Sequence, residues 1–176
     1  KYGLTTNNLL GLEMVLMDGE VIRVGGKQFD SDGYDLLGLM TGSEGMLGVI
    51  TEVTVRILPK PPMARALLMG FASNDSAGRC VAGIIAAGII PAGLELMDRP
   101  AIHAVEQFCH AGYPLDAEAI LICELDGPEV EVEELARRVG DIATDCEATS
   151  LRVSESEEER QRFWLGRKSA FPAAGR

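Results

Sequence analysis

Ten residues from Thr41 to Ile50 have the composition of a loop that binds a cofactor. Three glycines, Gly42, Gly45 and Gly48, occur within seven of these residues, and a hydroxyl side chain stands on either side of the first. Glycines let the backbone approach a bulky ligand and adopt left-handed conformations, so N–H groups can face the anionic oxygens of a phosphate. The same spacing also fits a glycine-rich turn between a short helix and a strand, and spacing alone does not separate the two.

A second cluster of residues, near the end of the chain, could bind a small carboxylate. Phe163, Trp164 and Arg167 fall within about one turn of a predicted helix, so a guanidinium lies beside an apolar surface. The guanidinium presents a planar fork of N–H donors that matches the two oxygens of a carboxylate. Two other roles for Arg167 stay open: pairing with acids of its own domain, or offsetting the negative C-terminal end of its helix.

The elements before the glycine loop are predicted to be two strands of a sheet. Two apolar runs within residues 8–24 are separated by Asp18-Gly19, a strong hairpin signal. Both faces of the first run are largely apolar, which predicts a hairpin whose faces are largely covered inside a domain. Glu13 interrupts this run, and it needs either solvent or a partner.

The glycine loop itself is predicted to connect a short helix to a strand. Residues 34–40 have the spacing of a two-turn helix, with Asp32 as a candidate N-terminal cap and Gly42 at the C′ position. Residues 49–58 alternate as a strand, and we expect the face that carries its valines to cover a core. Helix termination therefore explains part of the glycine pattern without a ligand.

Residues 59–62, Pro-Lys-Pro-Pro, are predicted to separate two domains, at residues 1–62 and 63–176. Prolines remove N–H donors and stiffen the backbone, so this segment continues neither a sheet nor a helix. The rest alternates strands with helices, which predicts an α+β sandwich of ferredoxin-like type with its helices on one side of the sheet. The predicted strands are 66–71, 93–97, 119–125 and 149–153, and the predicted helices are 74–87 (capped by Asn74 or Asp75), 100–111, 128–146 and 155–171 (after Ser154).

The composition limits the kinds of partner. The formal net charge of −11 argues against binding of nucleic acid or of an anionic membrane surface. The longest uncharged run, residues 80–94, is too short and too interrupted by glycine and proline to span a bilayer. The four cysteines are far apart and form no Cys-x-x-Cys pair, which predicts buried free thiols in a reducing compartment such as the cytosol.

Two histidines have a spacing that a metal site could use. His103 and His110 are seven residues apart and could share a helix face with Glu106. We interpret them as ordinary surface histidines, and no metal site is predicted within this chain.

The order of several segments resembles one family, the FAD-linked oxidases of the vanillyl-alcohol oxidase superfamily, which share a PCMH-type FAD-binding domain. Within it the likeness is greatest to the branch of glycolate oxidase and D-lactate dehydrogenase. A single glycine-rich loop would not be specific, whereas this ordered series runs the whole length of the chain. The segments are residues 1–5, 10–13, 18–19, 33–37, 41–51, 58–61 and 163–168.

The resemblance implies an α+β fold: the second half of a PCMH-type FAD-binding domain, then the N-terminal part of a ferredoxin-like FAD-linked oxidase cap domain. It also implies an FAD-dependent enzyme that oxidises a D-2-hydroxy acid, glycolate or D-lactate, to the 2-oxo acid by hydride transfer from the α-carbon to flavin N5. Electrons would then pass to a partner subunit or a quinone. Such a protein is expected in the cytoplasm, with peripheral membrane association through partner subunits.

In this family the glycine loop contacts FAD, and an arginine of the cap domain holds the substrate carboxylate. The arginine corresponds to Arg167, and no catalytic residue is expected in this chain. Met46 stands where the family usually has threonine, which removes a hydroxyl. The residues expected to contact FAD are Gly42, Ser43, Glu44, Gly45, Met46, Leu47, Gly48, Val49 and Ile50.

Members of the family are much longer, so the chain is interpreted as an internal fragment. The segment before it would hold the FAD pyrophosphate, and the segment after it would carry paired histidines and an acid associated with a divalent metal and the base. The fragment alone is expected to be inactive and marginally stable. The alternative is a non-catalytic α+β interaction module without a cofactor, in which the glycines only form turns.

Overall fold

The computed structural model describes residues 2–27 and 33–175 and divides the chain after Lys60. The first unit is Tyr2–Lys60, and the second begins at Pro61. The division falls within the proline-rich segment, which forms neither strand nor helix. Each unit has a sheet and a core of its own.

The described residues of the first unit form a three-stranded antiparallel sheet with two short helices. Its elements are α1 (Thr5–Asn8), β1 (Leu9–Val15), β2 (Val21–Gly25), α2 (Leu36–Met40) and β3 (Val49–Val55). The strand order is β2-β1-β3, so β1 pairs on both of its edges. The core is small, because Leu12, Met14 and Met40 are the buried apolar side chains among the described residues of this unit.

The hairpin predicted at Asp18-Gly19 is confirmed. β1 and β2 pair antiparallel, and Leu16 N donates to Glu20 O at 2.8 Å across the loop between them. Gly19 has φ +87°, a conformation that a residue without a Cβ adopts readily. The expectation of covered faces is wrong for β2, whose side chains alternate between exposed and half-buried.

Glu13 finds its partners on the two neighbouring strands. Its Oε2 accepts from Arg23 Nη2 at 2.6 Å, and its Oε1 accepts from Thr51 Oγ1 at 2.9 Å. These hydrogen bonds, that of Arg23 first, lower the pKa of the Glu13 carboxyl. The acid that the sequence left in need of solvent or a partner thus links all three strands.

The expectation that β3 covers a core with its valine face is wrong. The pairing of β3 with β1 shifts register at Thr51, which is an extra residue and ends the strict alternation of faces. Val49 and Val53 are 67% and 56% exposed. The reason is that β3 packs extensively against β1 alone among the described elements of its unit.

The helix before the glycine loop begins two residues later than predicted. Asp35 is its N-cap, because Asp35 Oδ1 accepts the Gly38 N–H at 2.8 Å. The predicted cap, Asp32, lies outside the described residues. α2 packs against β1 and β2 and buries Met40, so the loop that follows starts from an anchored helix.

The second unit is a four-stranded antiparallel sheet with four helices among the described residues. Its elements are β4 (Met63–Phe71), α3 (Asn74–Ala86), β5 (Gly93–Asp98), α4 (Arg99–Cys109), β6 (Ala119–Gly127), α5 (Glu129–Asp145), β7 (Ala148–Val153) and α6 (Glu157–Ala174). The order is β5-β6-β4-β7 with antiparallel neighbours throughout. β4 and β5 therefore run parallel on either side of β6, which is the arrangement of a ferredoxin-like sheet. The predicted α+β class is confirmed.

Helices cover both faces of this sheet, which corrects the expectation of helices on one side. α3 and α5 pack on the face that carries Leu67 and Leu121, and α4 and α6 pack on the face that carries Leu68 and Ile122. β4 and β6 are central strands, and they are buried along most of their length. A strand that is covered on both faces usually has a continuous apolar run in its sequence. The apolar run at 119–125 is therefore the feature of this sequence that indicates a second helical layer.

Two helices of the second unit are capped by residues other than those predicted. Ser73 caps α3 through its side chain, in place of Asn74 or Asp75. Ser156 caps α6 in the same way. Ser154, expected directly before that helix, is buried, and it exchanges hydrogen bonds with β4.

Candidate functional site

The glycine loop leaves α2 through a residue that only glycine fills easily. Thr41 donates both its N–H and its hydroxyl to Leu37 O, at 3.0 and 2.6 Å. Gly42 follows with φ +79° at the C′ position, where a left-handed residue ends a helix. The interpretation of Gly42 as a helix terminator is confirmed.

The tip of the loop is a tight turn built on two residues with positive φ. Ser43 O accepts the Met46 N–H at 2.9 Å, and Glu44 and Gly45 between them have φ of +51° and +80°. Two successive positive φ values are the pattern of a type I′ turn. Glu44 is the unusual member, because glycine, asparagine and aspartate are the residues that usually adopt this conformation.

The loop presents backbone donors that the described part of the chain does not use. The N–H groups of Glu44, Gly45, Leu47 and Gly48 have no acceptor among the described residues. A Cβ built on Gly42 or Gly45 would meet nothing within 4 Å, so space is open beside the turn. Unpaired amides beside open glycines fit the phosphate oxygens of FAD, and these residues could hold that part of the cofactor.

Packing, rather than a ligand, explains Gly48. A Cβ at this position would lie 2.5 Å from Val15 O and 3.0 Å from Met14 Cγ, so β1 leaves no room for one. Met46, where the resemblance leads us to expect threonine, is 77% exposed. Its thioether has no proton to donate to a ligand.

Phe163, in the second predicted cluster, is a core residue. It is fully buried, and the Arg152 guanidinium lies 5.1 Å from its ring centroid. The expected apolar platform beside Arg167 is therefore wrong as far as Phe163 is concerned, because this side of α6 faces the sheet.

Trp164 is held at the sheet by contacts with two neighbouring strands. Its indole N–H donates to the Glu124 carboxylate on β6. Its ring lies against Gly93 on β5, where an added Cβ would be 2.9 Å from Cη2. Gly93 and Glu124 are cross-strand partners, so the indole occupies a notch that the missing side chain of Gly93 leaves open.

Arg167 follows one turn later and meets an acid on β5. Its Nε donates to Glu95 Oε2 at 3.0 Å, and the two side chains are 40% and 39% exposed. Its two terminal nitrogens have no hydrogen-bond partner among the described residues. This ion pair is one of the roles that the sequence left open for Arg167, and binding of a carboxylate stays a prediction.

Tyr113 and Gly166 set the position of α6. Tyr113 is buried, and its hydroxyl donates to Phe163 O. A Cβ on Gly166 would overlap the Tyr113 hydroxyl oxygen, so the close approach requires a residue without a side chain. Burial raises the pKa of Tyr113, so its hydroxyl keeps the proton that it donates.

Three residues of this cluster, Gly93, Glu95 and Glu124, are not among the sequence-predicted site residues. An acid within an apolar strand is a signal that could have found two of them, because a carboxylate in such a place needs a partner. A cavity of about 680 Å³ opens beside Glu124 and Trp164. Its other lining residues are Glu158, Arg160, Gln161, Arg162, Leu165 and Lys168.

The two histidines of α4 are not brought together with other metal-binding groups. Within the described residues, no three or more His, Cys, Asp or Glu side chains are grouped so that they could hold a metal ion. His103 Nε2 lies 3.2 Å from Leu115 O, and His110 ends α4 in a left-handed conformation.

Among the described helices, none combines the length and apolar character that a membrane crossing requires.

The four cysteines are free thiols, as predicted. Cys80 and Cys123 are buried, and burial raises the pKa of each thiol to about 12. Cys109 and Cys146 are only half-buried, which corrects the expectation that all four are buried.

Similarity to known proteins gives the family. The family described as FAD linked oxidases, C-terminal domain, matches residues 60–176. Along its whole length the chain is 60% identical to glycolate oxidase subunit GlcD of Escherichia coli (strain K12), of which it covers 35%. It is 41% identical to glycolate oxidase subunit GlcD of Bacillus subtilis (strain 168), of which it covers 38%. The chain belongs to the FAD-linked oxidase family, as the ordered segments of its sequence predict.

The chain spans little more than a third of the length of these curated relatives. A solved structure of alkyldihydroxyacetonephosphate synthase matches with a TM-score of 0.68 at 19% identity, over 98% of this chain and 35% of that one. Similarity at this low identity establishes the fold alone.

Proposed function

We propose that the complete protein is an FAD-dependent enzyme that oxidises a D-2-hydroxy acid, glycolate or D-lactate, to the 2-oxo acid. The observation that carries this proposal is that the chain is 60% identical to a glycolate oxidase subunit over all 176 residues. The two clusters described above supply what such a reaction needs from this part of the chain. One offers unpaired amides to a phosphate-bearing cofactor, and the other offers an arginine to a carboxylate.

We further propose that the first unit is the second half of a PCMH-type FAD-binding domain and that the second unit is the N-terminal part of the cap domain. The family match that begins at residue 60 supports the second assignment. The open turn at Glu44 and Gly45 supports the first, and residues 42–50 are proposed to contact FAD.

Bound FAD would supply the acceptor for the hydride that leaves the substrate α-carbon, with electrons continuing to a partner subunit or a quinone. The unpaired amides of Glu44, Gly45, Leu47 and Gly48 would add hydrogen-bond donors to the FAD pyrophosphate, which the segment expected before this chain would also hold. Arg167 binds the substrate carboxylate through its terminal nitrogens and so orients the α-hydrogen toward the flavin. The base that takes the hydroxyl proton, and any divalent metal, are assigned to parts of the complete protein outside this chain.

The location and the partners belong to the same proposal. Four free thiols support a reducing compartment, and we propose the cytoplasm. The Escherichia coli relative is named as a subunit of glycolate oxidase, which supports partner subunits for this protein and peripheral membrane association through them.

Titration of the full-length protein with FAD, followed by flavin fluorescence, tests this function. We expect quenching that saturates at about one FAD per chain, then anaerobic bleaching of the bound flavin by glycolate or D-lactate. L-Lactate is the matched control, because it differs from D-lactate only in the configuration of its α-carbon. Failure of the full-length protein to quench FAD would instead favour the non-catalytic interaction module.

A further inference from the structure

We propose that Glu95 is a positioning residue that orients Arg167 toward the substrate carboxylate, an inference that rests on the hydroxy-acid function proposed above. Glu95 Oε2 accepts the Nε–H of Arg167 at 3.0 Å and no other hydrogen bond of that guanidinium. The Nε–H points from one lateral edge of the planar guanidinium, whereas the two terminal nitrogens form the edge at its far end. Glu95 therefore occupies the side and leaves the end free for a bidentate carboxylate.

The fold places this pair through the register of α6 on β5. Alternate residues of β5, Gly93, Glu95 and Met97, face the same side of the sheet as α6. Trp164 lies against Gly93, and Arg167, three residues further along the helix, reaches Glu95. Three helical residues advance about 4.5 Å and two strand residues about 6.7 Å, and the long Arg167 side chain spans the difference of about 2 Å.

The notch under Trp164 fixes the rotation of α6 one turn before Arg167. The arginine side chain that follows has several rotatable bonds, and the hydrogen bond to Glu95 removes much of that freedom before substrate binds. Donors that are ordered in advance lose less conformational entropy on binding, which favours affinity. The Arg167 side chain is 40% exposed, so a small ligand can reach it from solvent.

The charge of Glu95 acts in the opposite direction, since it repels a second carboxylate. Both side chains of the pair are well exposed, at 40% and 39%, so water screens this repulsion. The directional hydrogen bond to Nε is lost completely when the carboxylate is removed. Truncation of Glu95 should therefore weaken carboxylate binding rather than strengthen it.

Substitutions in the full-length holoenzyme test the proposal. The readouts are KM and kcat for glycolate, and the Kd of oxalate, a non-reacting carboxylate, measured from flavin absorbance. We expect Glu95→Ala to raise KM and the oxalate Kd about tenfold with little change in kcat, and Glu95→Gln to raise them only about twofold, because its amide oxygen still accepts from Nε. Glu118→Ala is the matched control, because Glu118 also pairs with an arginine, Arg99 at 2.5 Å, on the exposed surface of the same unit.

A neutral substrate separates positioning from a general structural effect. Methyl glycolate carries no carboxylate, so Glu95→Ala should leave its kcat/KM unchanged. Equal losses on glycolate and methyl glycolate would overturn the proposal, as would unchanged or tighter oxalate binding. FAD content reports whether each variant folds, and if Glu95→Ala does not, Glu95→Asp, which draws the carboxylate back from Nε, should raise KM in its place.

Different results would refute the proposed hydroxy-acid function and the proposed role of Glu95. Wild-type enzyme that binds FAD and oxalate but oxidises neither glycolate nor D-lactate would refute the function and leave Glu95 to be decided by the oxalate Kd values. Wild-type enzyme that oxidises glycolate while Glu95→Ala behaves as Glu118→Ala would refute the role of Glu95 alone. Wild-type enzyme that neither oxidises these acids nor binds oxalate would refute both.

Discussion

Arg167 is the residue through which this chain would recognise its substrate. Arg167→Ala should raise KM for the hydroxy acid about a hundredfold, because a bidentate, charge-assisted interaction is lost. Arg167→Lys should fall between wild type and alanine, since lysine keeps the charge without the fork. Steady-state kinetics of the full-length enzyme measure both, with Arg99→Ala as the control. Bound FAD should not change, and an unaltered KM would leave the ion pair with Glu95 as the role of Arg167.

The tip of the glycine loop permits a second comparison of single residues. Gly45→Ala should weaken FAD binding about fivefold or more, because alanine at φ +80° costs about 1 kcal/mol although its Cβ meets no atom within 4 Å. Gly48→Ala should weaken it further, since that Cβ would meet Val15 O. Gly78→Ala in α3 is the control, with open space and no positive φ. Fluorescence titration that gives equal Kd values for Gly45→Ala and Gly78→Ala would contradict a role for the tip.

The sequence predicts single residues well where the cause is local. Gly42 ends a helix, and Asp18-Gly19 forms a turn, because both effects depend on a few neighbouring residues. The partner of Arg167 is 72 residues away, and no local pattern pairs it with Glu95. The charge of Arg167 is therefore predictable, while the direction in which it points is set by the packing of a helix on a sheet.

A close contact between Gly166 and Tyr113 helps to set the position of α6. Gly166→Ala should reduce the free energy of unfolding by about 1–3 kcal/mol, because the new Cβ would overlap the Tyr113 hydroxyl. Urea denaturation of the full-length protein measures this change. Tyr113→Phe in the same background should restore part of the loss, since it removes the overlapping oxygen. Gly78→Ala, also within a helix but facing open space, should instead stabilise by about 1 kcal/mol, and similar values for the two glycines would contradict the tight contact.

The elements themselves were predictable in proportion to their regularity. The long helix α5 and the buried strand β6 lie close to their predicted positions, because each has a sustained pattern of one period. β3 departs from expectation because the extra residue at Thr51 changes which side chains share a face. The apolar run at 119–125 indicates a strand covered on both faces, but the helix patterns do not show on which face each helix packs, so helices on one side of the sheet are predicted.

At the scale of the whole molecule, the two units differ in how well they bury apolar side chains. The second unit has a core on each face of its sheet, whereas the described residues of the first form one small cluster and a largely exposed β3. Residues 1–176 produced alone should therefore self-associate through the first unit, because an exposed apolar strand pairs or packs with another copy.

Sedimentation at several concentrations measures this association. The double substitution Val49→Lys and Val53→Lys should shift the chain toward monomer. Ile90→Lys, at a position in the second unit that is also 67% exposed, is the control and should have little effect. A monomer that melts sharply and independently of concentration would contradict the prediction.

The notch at Gly93 also gives this chain an optical label. Trp164 is its one tryptophan, and the indole is hydrogen-bonded to Glu124 beside the cavity and lies one turn from Arg167. Its emission spectrum and lifetime respond to the polarity around the ring and to that hydrogen bond. A ligand that moves the Arg167 side chain or shifts α6 would therefore change the fluorescence of Trp164. Binding of such a ligand at this end of the sheet could be followed in real time without any added dye.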